Sequence, residues 1–530
     1  MKKILLLLTL ILSLFSCEKV SMEPSPIEVT GPIDWDGVKR GDVRYEIFVR
    51  SYYDSDGDGI GDINGLTTKI PMISDWGIKA IWLMPINPSP SYHGYDVQDY
   101  KDINHEYGTL ADFDRMVKVA HNNDMEVIID MVINHTSKSH PWFLSACQGP
   151  DSPQRNLYIF AHKDSVEILI NQGKIPSIRN YHSENWHIPD TGDKNYRYYG
   201  LFSSWMPDFN PENPAVMDSL LSIGKFWIDR GVDGFRLDAI KHIYQIERGE
   251  ENYSFLKRYR NGLLNFKSDF YLVGEVLDDY DVVAPFLVSI PACFNFNSWW
   301  KLSWALTNST GKYYTKDMND CVNAFINSNP DYIHVTKLSN HDEDRTMTVL
   351  SDNKSRAKMA ALIIATMPGQ PYFYYGEEIG MRGSKSSGDE NVREPYLWSS
   401  SASENTTWWT PRWNTPSYVT PLDEQLNDKN SIASRFIEAI QLRNIYKALS
   451  NGSISYPDYN DVPDGLMIYK RVKDSQKILI AHNLGSSAIN YQLDVTALSV
   501  ILSRNGATAE TTKKITSVNL PALSTIIIEY

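Results

Sequence analysis

Apolar residues recur in short blocks along the chain, and four of these blocks run on to acidic or polar residues. Eight blocks read as strands: 43–52, 78–85, 125–132, 232–238, 270–276, 292–296, 333–338 and 370–375. Near-continuous apolar runs of this length are the signature of strands buried on both faces. Between most of them lie segments with apolar residues at helical spacing. One covers 110–122; another covers 216–229, with Val216, Leu220, Ile223 and Trp227 on one stripe. Eight strands alternating with helices predict an α/β fold, a parallel (β/α)8 TIM barrel.

Two regions break the alternation. Residues 136–210 exceed what one loop and one helix need, which predicts a subdomain inserted after strand three. Its second half carries Tyr181, Trp186, Tyr196, Tyr198, Tyr199, Phe202, Trp205 and Phe209. Some of these rings should form the insertion's own core and a few should line a cleft. After a helix at 431–449 the pattern becomes alternating, with strands at 466–472, 477–484, 488–495 and 523–530. That reads as a C-terminal antiparallel β-sandwich. The expected division is a barrel over 39–450, an insertion over 136–210 and a sandwich over 451–530.

The first residues have a different character. Lys2-Lys3 precede an apolar run, 4–14, that is too short to span a bilayer, and Ser16-Cys17 follow. The segment 1–17 resembles a bacterial lipoprotein signal, with Cys17 as the lipidated residue. The proline-containing stretch 18–38 reads as a tether. The expected location is extracytoplasmic, as a cell-envelope lipoprotein on the periplasmic or outer-membrane side, touching membrane only through that anchor.

A net charge of −14 with no basic run argues against nucleic acid as a partner. Rings are abundant, with 31 Tyr, 18 Phe and 14 Trp, and flat ring faces suit either packing or the C–H faces of pyranoses. Cys147, Cys293 and Cys321 are too sparse for a disulfide framework and lack metal-type spacing, so buried free thiols are expected.

Candidate chemistry sits at the strand ends. Ile128-Ile129-Asp130 runs on to Asn134-His135, 232–238 closes on Asp238, 272–275 on Glu275, and 337–342 on Asn340-His341-Asp342. Carboxylates gathered at the C-terminal ends of barrel strands are how this fold builds active sites, and paired carboxylates cleave glycosidic bonds. Neighbouring strands lie ~4.8 Å apart, so Asp238 and Glu275 fall within the ~5–5.5 Å of a retaining glycosidase. On this reading Asp238 attacks the anomeric carbon. Glu275 protonates the leaving oxygen and later deprotonates water. Arg236, two residues earlier on the same face, keeps Asp238 ionised. Asp342 stabilises the oxocarbenium-like state, and His135 and His341 donate hydrogen bonds to sugar hydroxyls. A structural ion pair explains any one strand end; four in order argue for a site.

These segments resemble the conserved regions of the α-amylase family, glycoside hydrolase family thirteen. Asp130 to His135 is similar to the first region, Gly234 to His242 to the second, Gly274-Glu275-Val276 to the third and Asn340-His341-Asp342 to the fourth. His93-Gly94-Tyr95-Asp96-Val97 resembles the loop whose tyrosine stacks on the sugar, and 374–380 resembles the strand-eight stretch. The resemblance runs from Gly41 to the end of the barrel. It implies a retaining mechanism on α-glucosidic bonds, with Asp238 as nucleophile, Glu275 as acid/base and Asp342 as stabiliser.

Asp54-Ser-Asp56-Gly-Asp58-Gly-Ile60-Gly-Asp62 places carboxylates at every second position among glycines, a hard-cation loop. Position twelve is Gly65 rather than Glu, so it is no EF-hand. Similar loops follow strand one in relatives resembling oligo-1,6-glucosidase and some amylases. This implies calcium held by Asp54, Asp56, Asp58, Asp62 and the Ile60 carbonyl. A second family calcium site implies Asn134 with Asp190 or Asp193.

Within the family, the small Ala239 and the pair Lys241-His242 go with α-1,4 endo-cleavage and leaving-group contacts. Met206-Pro-Asp-Phe-Asn210 resembles an insertion element of groups between oligo-1,6-glucosidases and neopullulanases, with Phe209 in place of the usual leucine, and Asp96 also occurs in exo-acting relatives, where the equivalent aspartate helps close the non-reducing side. The leading expectation is a monomeric, lipid-anchored α-amylase acting on starch, maltodextrins or maltooligosaccharides. An exo-acting α-glucosidase, oligo-1,6-glucosidase or neopullulanase-like enzyme is the alternative. A non-catalytic glucan-binding lipoprotein is a third reading, which the intact acidic triad argues against.

Overall fold

The computed structural model describes residues 41–171, 185–244, 248–401, 403–457, 459–512 and 514–530. The signal 1–17, the tether 18–38 and Tyr181 lie outside the described residues.

Eight parallel strands close on themselves. They are β1 (Arg44–Ile47), β2 (Ala80–Leu83), β3 (Glu126–Met131), β4 (Gly234–Leu237), β5 (Tyr271–Gly274), β6 (Ala292–Phe294), β7 (Ile333–Lys337) and β8 (Gln370–Tyr374). Closure is made by β8 against β1, with Glu46 opposite Tyr374. Inward side chains fill the cylinder: Trp82, Ile128, Val273, Phe294, Val335 and Tyr372 form one buried cluster, with Trp82 and Phe294 5.4 Å apart between ring centroids. The strand expected over 43–52 is shorter. Its neighbours stop pairing at Glu46 and Ile47, and without a ladder partner the chain turns into the helix Val49–Tyr52.

The flanking helices follow the apolar stripes. Leu110–Asn122 is closed by a Thr109–Asp112 capping box and buries Phe113, Met116, Val117 and Ala120. Pro214–Asp229 is capped by Asn213, with Pro214 at its start, and buries Val216, Leu220, Ile223 and Trp227. The helix expected over 431–449 is two, Ile432–Ile445 and Lys447–Asn451, because Tyr446 between them is extended. Buried Arg443 donates to the carbonyls of Gly41, Ala365 and Met367, locking the end of the barrel to its start.

Between β3 and β4 the chain builds a three-stranded antiparallel sheet from Phe160–His162, Trp186–His187 and Tyr196–Tyr199. Phe143, Tyr158, Tyr198 and Phe209 pack there as a ring cluster. The Phe209 N–H donates to the Asn134 carbonyl at 2.9 Å, so this sheet is pinned to the loop leaving β3.

The C-terminal region holds eight further strands: β9 (Ser453–Ser455), β10 (Leu466–Lys473), β11 (Gln476–Asn483), β12 (Ile489–Leu493), β13 (Ser499–Arg504), β14 (Thr508–Thr512), β15 (Ile515–Leu520) and β16 (Ser524–Glu529). Five form one antiparallel sheet, β9-β10-β11-β16-β13, and three form another, β12-β15-β14. Their shared core includes Leu466, Ile468, Leu479 and Ile526 from the first and Leu493, Val518 and Leu520 from the second. Sequence patterning missed β9, β13, β14 and β15. Most are short and rich in Ser and Thr, and β14 is nearly all exposed, so they lack a strong apolar alternation.

Candidate active site

The two carboxylates expected to act together leave neighbouring strand ends. Leu237 faces Gly274 in the β4–β5 register, and the ladder runs one step further. There the Asp238 N–H donates to Met131 O at 3.2 Å and the Glu275 N–H to Leu237 O at 3.0 Å. Ala239 then adopts a left-handed conformation, φ 48 and ψ 40, that reverses the chain. Its N–H points at Glu275 Oε2, 3.1 Å away. The small side chain tolerates a backbone shape that costs L-residues roughly 1–2 kcal/mol.

Beneath both carboxylates lies Arg236, 1 % exposed. Its Nη1 donates to Asp130 at 2.9 Å and to Asp238 Oδ1 at 2.6 Å, and its Nη2 pairs with Glu275 Oε2 at 2.9 Å. One cation therefore serves three carboxylates. Burial raises the pKa of Asp130, Arg236 opposes the rise and the Asp238 charge adds to it, leaving Asp130 at about 7. Burial also raises Asp238, outweighing the opposing pull of Arg236. The expectation that Arg236 simply holds Asp238 ionised is thus incomplete, because its charge is divided three ways. Glu275 is raised by burial, opposed by Arg236, and raised further by the charges of Asp238 and Asp342.

A second charge cluster faces the first. His341 is fully buried, and its Nδ1 and Nε2 donate to Glu46 Oε1 at 2.5 Å and to Asp342 Oδ2 at 2.9 Å. Burial opposes its charging, yet Asp342 and Glu46 outweigh that and push the pKa up to about 9. Asp342 also receives Arg393 Nη2 at 2.9 Å and Lys385 Nζ at 3.4 Å. Burial disfavours its charge, but His341, Arg393 and Lys385 together hold it well below the ordinary aspartate range. Tyr95 bridges the two clusters. Its hydroxyl meets Asp130 Oδ2 at 3.2 Å and His341 Nε2 at 2.6 Å, and its ring stacks on His341.

Asp238, Glu275 and Asp342 open into one cleft of about 520 Å³. Tyr95, His135, Lys241 and His242 line it, together with Phe202, Trp205 and Met206 from the insertion. Phe202 is edge-on to both His135 and His242. Burial lowers both histidines to about 4, so they face the cleft neutral. Lys241 Nζ donates to Leu277 O at 2.8 Å and pairs with Asp278 at 3.1 Å.

Three expected contacts differ. Arg236 lies under the carboxylates, outside the cleft lining. His341 gives its nitrogens to Glu46, Asp342 and Tyr95 instead of presenting them to a hydroxyl. Asp96 is buried and turned into its own loop, where the hydroxyls of Ser89 and Ser91 donate to it.

In the acidic loop, Asp54, Asp56 and Asp58 bring carboxylate oxygens within 4.8 Å of one another. Asp62 does not join them. It caps the helix Ile63–Asp75 by accepting from Gly65 N at 2.7 Å, and it accepts from Ser55 as well. The Ile60 N–H donates to Asp58 Oδ1 at 2.7 Å, which keeps that turn tight. Three hard oxygen donors in such proximity fit a hard divalent cation. Beside Asn134 the insertion supplies Asp208, whose pKa burial pushes well above the ordinary aspartate range, where Asp190 or Asp193 was expected. Asp190 instead pairs with Lys138, and Asp193 accepts from Asn195 N.

Arg393, Lys385, Glu46 and His93 also belong to this neighbourhood and were not expected. Glu46 lies inside β1, one residue before its end, so no strand-end carboxylate marked it. Arg393 and Lys385 sit in the short 3-10 turns and loops after β8, where no periodicity marks them.

The raised pKa of His341 ties stability to pH. A group whose folded pKa exceeds its unfolded value of ~6.5 stabilises fully below that value and loses the benefit as pH climbs through the folded pKa. Between about pH 6.5 and 9 the His341 contribution, on the order of 3 kcal/mol, should fade. Denaturant midpoints across this window should fall for the wild type and stay flatter for His341→Gln; parallel profiles would refute the assignment.

Comparison with known proteins agrees with this geometry. Residues 46–452 match the α-amylase catalytic domain family. The chain is 38 % identical to α-amylase 3 of Dictyoglomus thermophilum, covering 88 % of this chain and 89 % of that one. It is 34 % identical to α-amylase SusG of Bacteroides thetaiotaomicron, covering 91 % and 90 %. The solved α-amylase from H. orenii superposes with a TM-score of 0.81 at 33 % identity, over 93 % of this chain and 99 % of that one. With its closed parallel barrel, acidic strand ends and a match over most of its length, the chain belongs to the α-amylase family of glycoside hydrolases.

Proposed function

We propose that this enzyme is a retaining α-amylase that cleaves internal α-1,4 bonds of starch-type glucans. The observation that carries the reading is the guanidinium of Arg236, whose two prongs hold Asp238 and Glu275 side by side in one cleft with Asp342. Carboxylates sharing one guanidinium favour the ~5–5.5 Å spacing of a retaining enzyme over the wider gap of an inverting one. Asp238 is the nucleophile. Glu275, raised by burial and by two like charges, holds the proton that the leaving oxygen takes. Once Asp238 is bonded to sugar its charge is gone, the pKa of Glu275 falls, and the same group accepts a proton from water. Asp342, kept ionised by His341 and Arg393, faces the positive charge that develops on the ring.

Endo action is favoured by Asp96, whose carboxylate is held by Ser89 and Ser91 within its own loop and does not line the cleft. Maltooligosaccharides blocked at the non-reducing end should be cut. Intact blocked chains beside cleaved free ones would favour the exo-acting alternative. Glu275→Gln should lower turnover by about 10²–10⁴-fold with substrate still bound, and undiminished turnover would remove Glu275 from the acid/base role.

We further infer a calcium ion at Asp54, Asp56 and Asp58, with the Ile60 carbonyl as the remaining candidate and Asp62 engaged in capping the helix that follows. Its role is structural, because none of the loop residues lines the cleft. Chelation should lower the melting temperature and calcium should restore it, by about 2.7 kcal/mol at a hundredfold excess over Kd. Asp56→Asn/Asp58→Asn should abolish that response; a chelator-insensitive wild type would exclude the ion.

Lys2-Lys3, the apolar run and Ser16-Cys17 support lipidation at Cys17 and a cell-envelope location. Cys17→Ser should move the protein from the membrane fraction to the soluble fraction, and an unchanged distribution would rule the anchor out.

A further inference from the structure

Glu46 is the third residue of β1 and only 2 % exposed. In the barrel register it stands level with Trp82 of β2 and Tyr374 of β8. Level residues of parallel strands share a face. Trp82 belongs to the cluster that fills the cylinder, so the Glu46 side chain enters the barrel interior as well. A buried carboxylate persists there only with a charged or hydrogen-bonding partner. That partner is His341, whose Nδ1 lies 2.5 Å from Glu46 Oε1. Glutamine has nearly the same shape, and its carbonyl would accept the same bond. What glutamate adds is a charge and a pair of oxygens that accept and never donate.

That difference decides where the imidazole keeps its proton. A charged ring donates from both nitrogens, to Glu46 and, at 2.9 Å, to Asp342 Oδ2. The Tyr95 hydroxyl lies 2.6 Å from the same Nε2. Nε2 has one hydrogen, and the carboxylate is the stronger acceptor. Tyr95 then keeps its own hydrogen for Asp130 Oδ2 at 3.2 Å. When the ring gives up one proton, an acceptor-only residue at Nδ1 retains the hydrogen on that side, and the lone pair falls on Nε2. Nε2 then opposes the Asp342 carboxylate and accepts from the Tyr95 hydroxyl, which leaves Asp130. A glutamine amide at position 46 is free to turn and donate to Nδ1, which permits the other tautomer.

We propose that Glu46 is a positioning residue: acting through His341, it keeps an N–H aimed at Asp342 and leaves the Tyr95 hydroxyl to Asp130. This deepens, and rests on, the reading of the cleft as a glucan hydrolase site. Glu46 itself does not line the cleft. Other charges act on the same ring. Asp130, Asp238 and Glu275 face it from the opposite cluster. Arg393, which donates to the His341 carbonyl, and Lys385 oppose them beside Asp342. Burial raises the Tyr95 and Tyr374 hydroxyls well above the usual phenol range, so both are neutral, and Trp82 meets the imidazole edge-on. Replacing Glu46 alone leaves all of these groups in place.

The test is a pH titration of isotope-labelled histidine side chains by heteronuclear NMR, with His341 identified by the signal missing in His341→Gln. In the wild type His341 should stay doubly protonated up to about pH 9 and then keep its hydrogen on Nδ1. In Glu46→Gln it should titrate about 1–3 pH units lower. An unmoved midpoint overturns the proposal, and so does a neutral wild-type ring protonated on Nε2. Should Glu46→Gln fail to fold, the wild-type tautomer decides alone. Turnover of maltooligosaccharides gives a second readout. Taken as a ratio to the wild type at each pH, which cancels the titration of Glu275, the kcat deficit of Glu46→Gln should widen by about ten-fold between about pH 6 and pH 9, with KM little changed. A deficit that is constant across pH marks a packing role and overturns the proposal. The NMR needs no turnover. The expected titration in a protein that hydrolyses nothing defeats only the hydrolase reading, whereas hydrolysis with an unmoved midpoint defeats only the role of Glu46.

Discussion

One buried cation organises this site. Arg236 has no exposed surface to speak of and is surrounded by Asp130, Asp238 and Glu275. Three carboxylates around one guanidinium compete for its charge in a dry interior, and burial pushes the proton affinity of Asp130, Asp238 and Glu275 up. The barrel provides the rigidity, since every member of the cluster is on a strand or one residue past its end.

The opposing cluster has the reverse balance. Asp342 and Glu46 are met by His341, Arg393 and Lys385, so the carboxylate facing the cleft is comfortably ionised. Two aspartates at equivalent strand ends thereby acquire different proton affinities from their surroundings. Tyr95 joins the two halves through Asp130 and His341, which couples the position of its ring to the charge state of both.

Much of this was legible in the sequence because buried parallel strands read as short apolar runs, and a carboxylate closing such a run stands out. Asp238, Glu275 and Asp342 were found in that way, and the β4–β5 adjacency followed from strand order. The partners that set their protonation were not legible. Asp130 was visible as a strand residue, but nothing local showed that it shares Arg236. Arg393 and Lys385 come from the short 3-10 turns and loops after β8 and reach the site only through tertiary packing. Asp62 and Asp96 had suggestive spacing, yet each spends its oxygens on nearby N–H or hydroxyl donors, a local competition that spacing does not reveal. The weakly apolar strands β13 to β15 failed for a related reason: much of their surface faces water, nearly all of it in β14, and Ser and Thr carry little periodic signal.

The left-handed bend at Ala239 places a limit on how this active site can change. The amide that points at Glu275 does so only because the backbone takes up a shape disfavoured for any side chain and more so for branched ones. Substitution at this position is thus weighed twice, once for what the new side chain touches and once for whether the peptide still aims its hydrogen at the acid. A branched side chain at residue 239 carries a conformational toll, and neighbouring residues have to adjust before such a change becomes neutral.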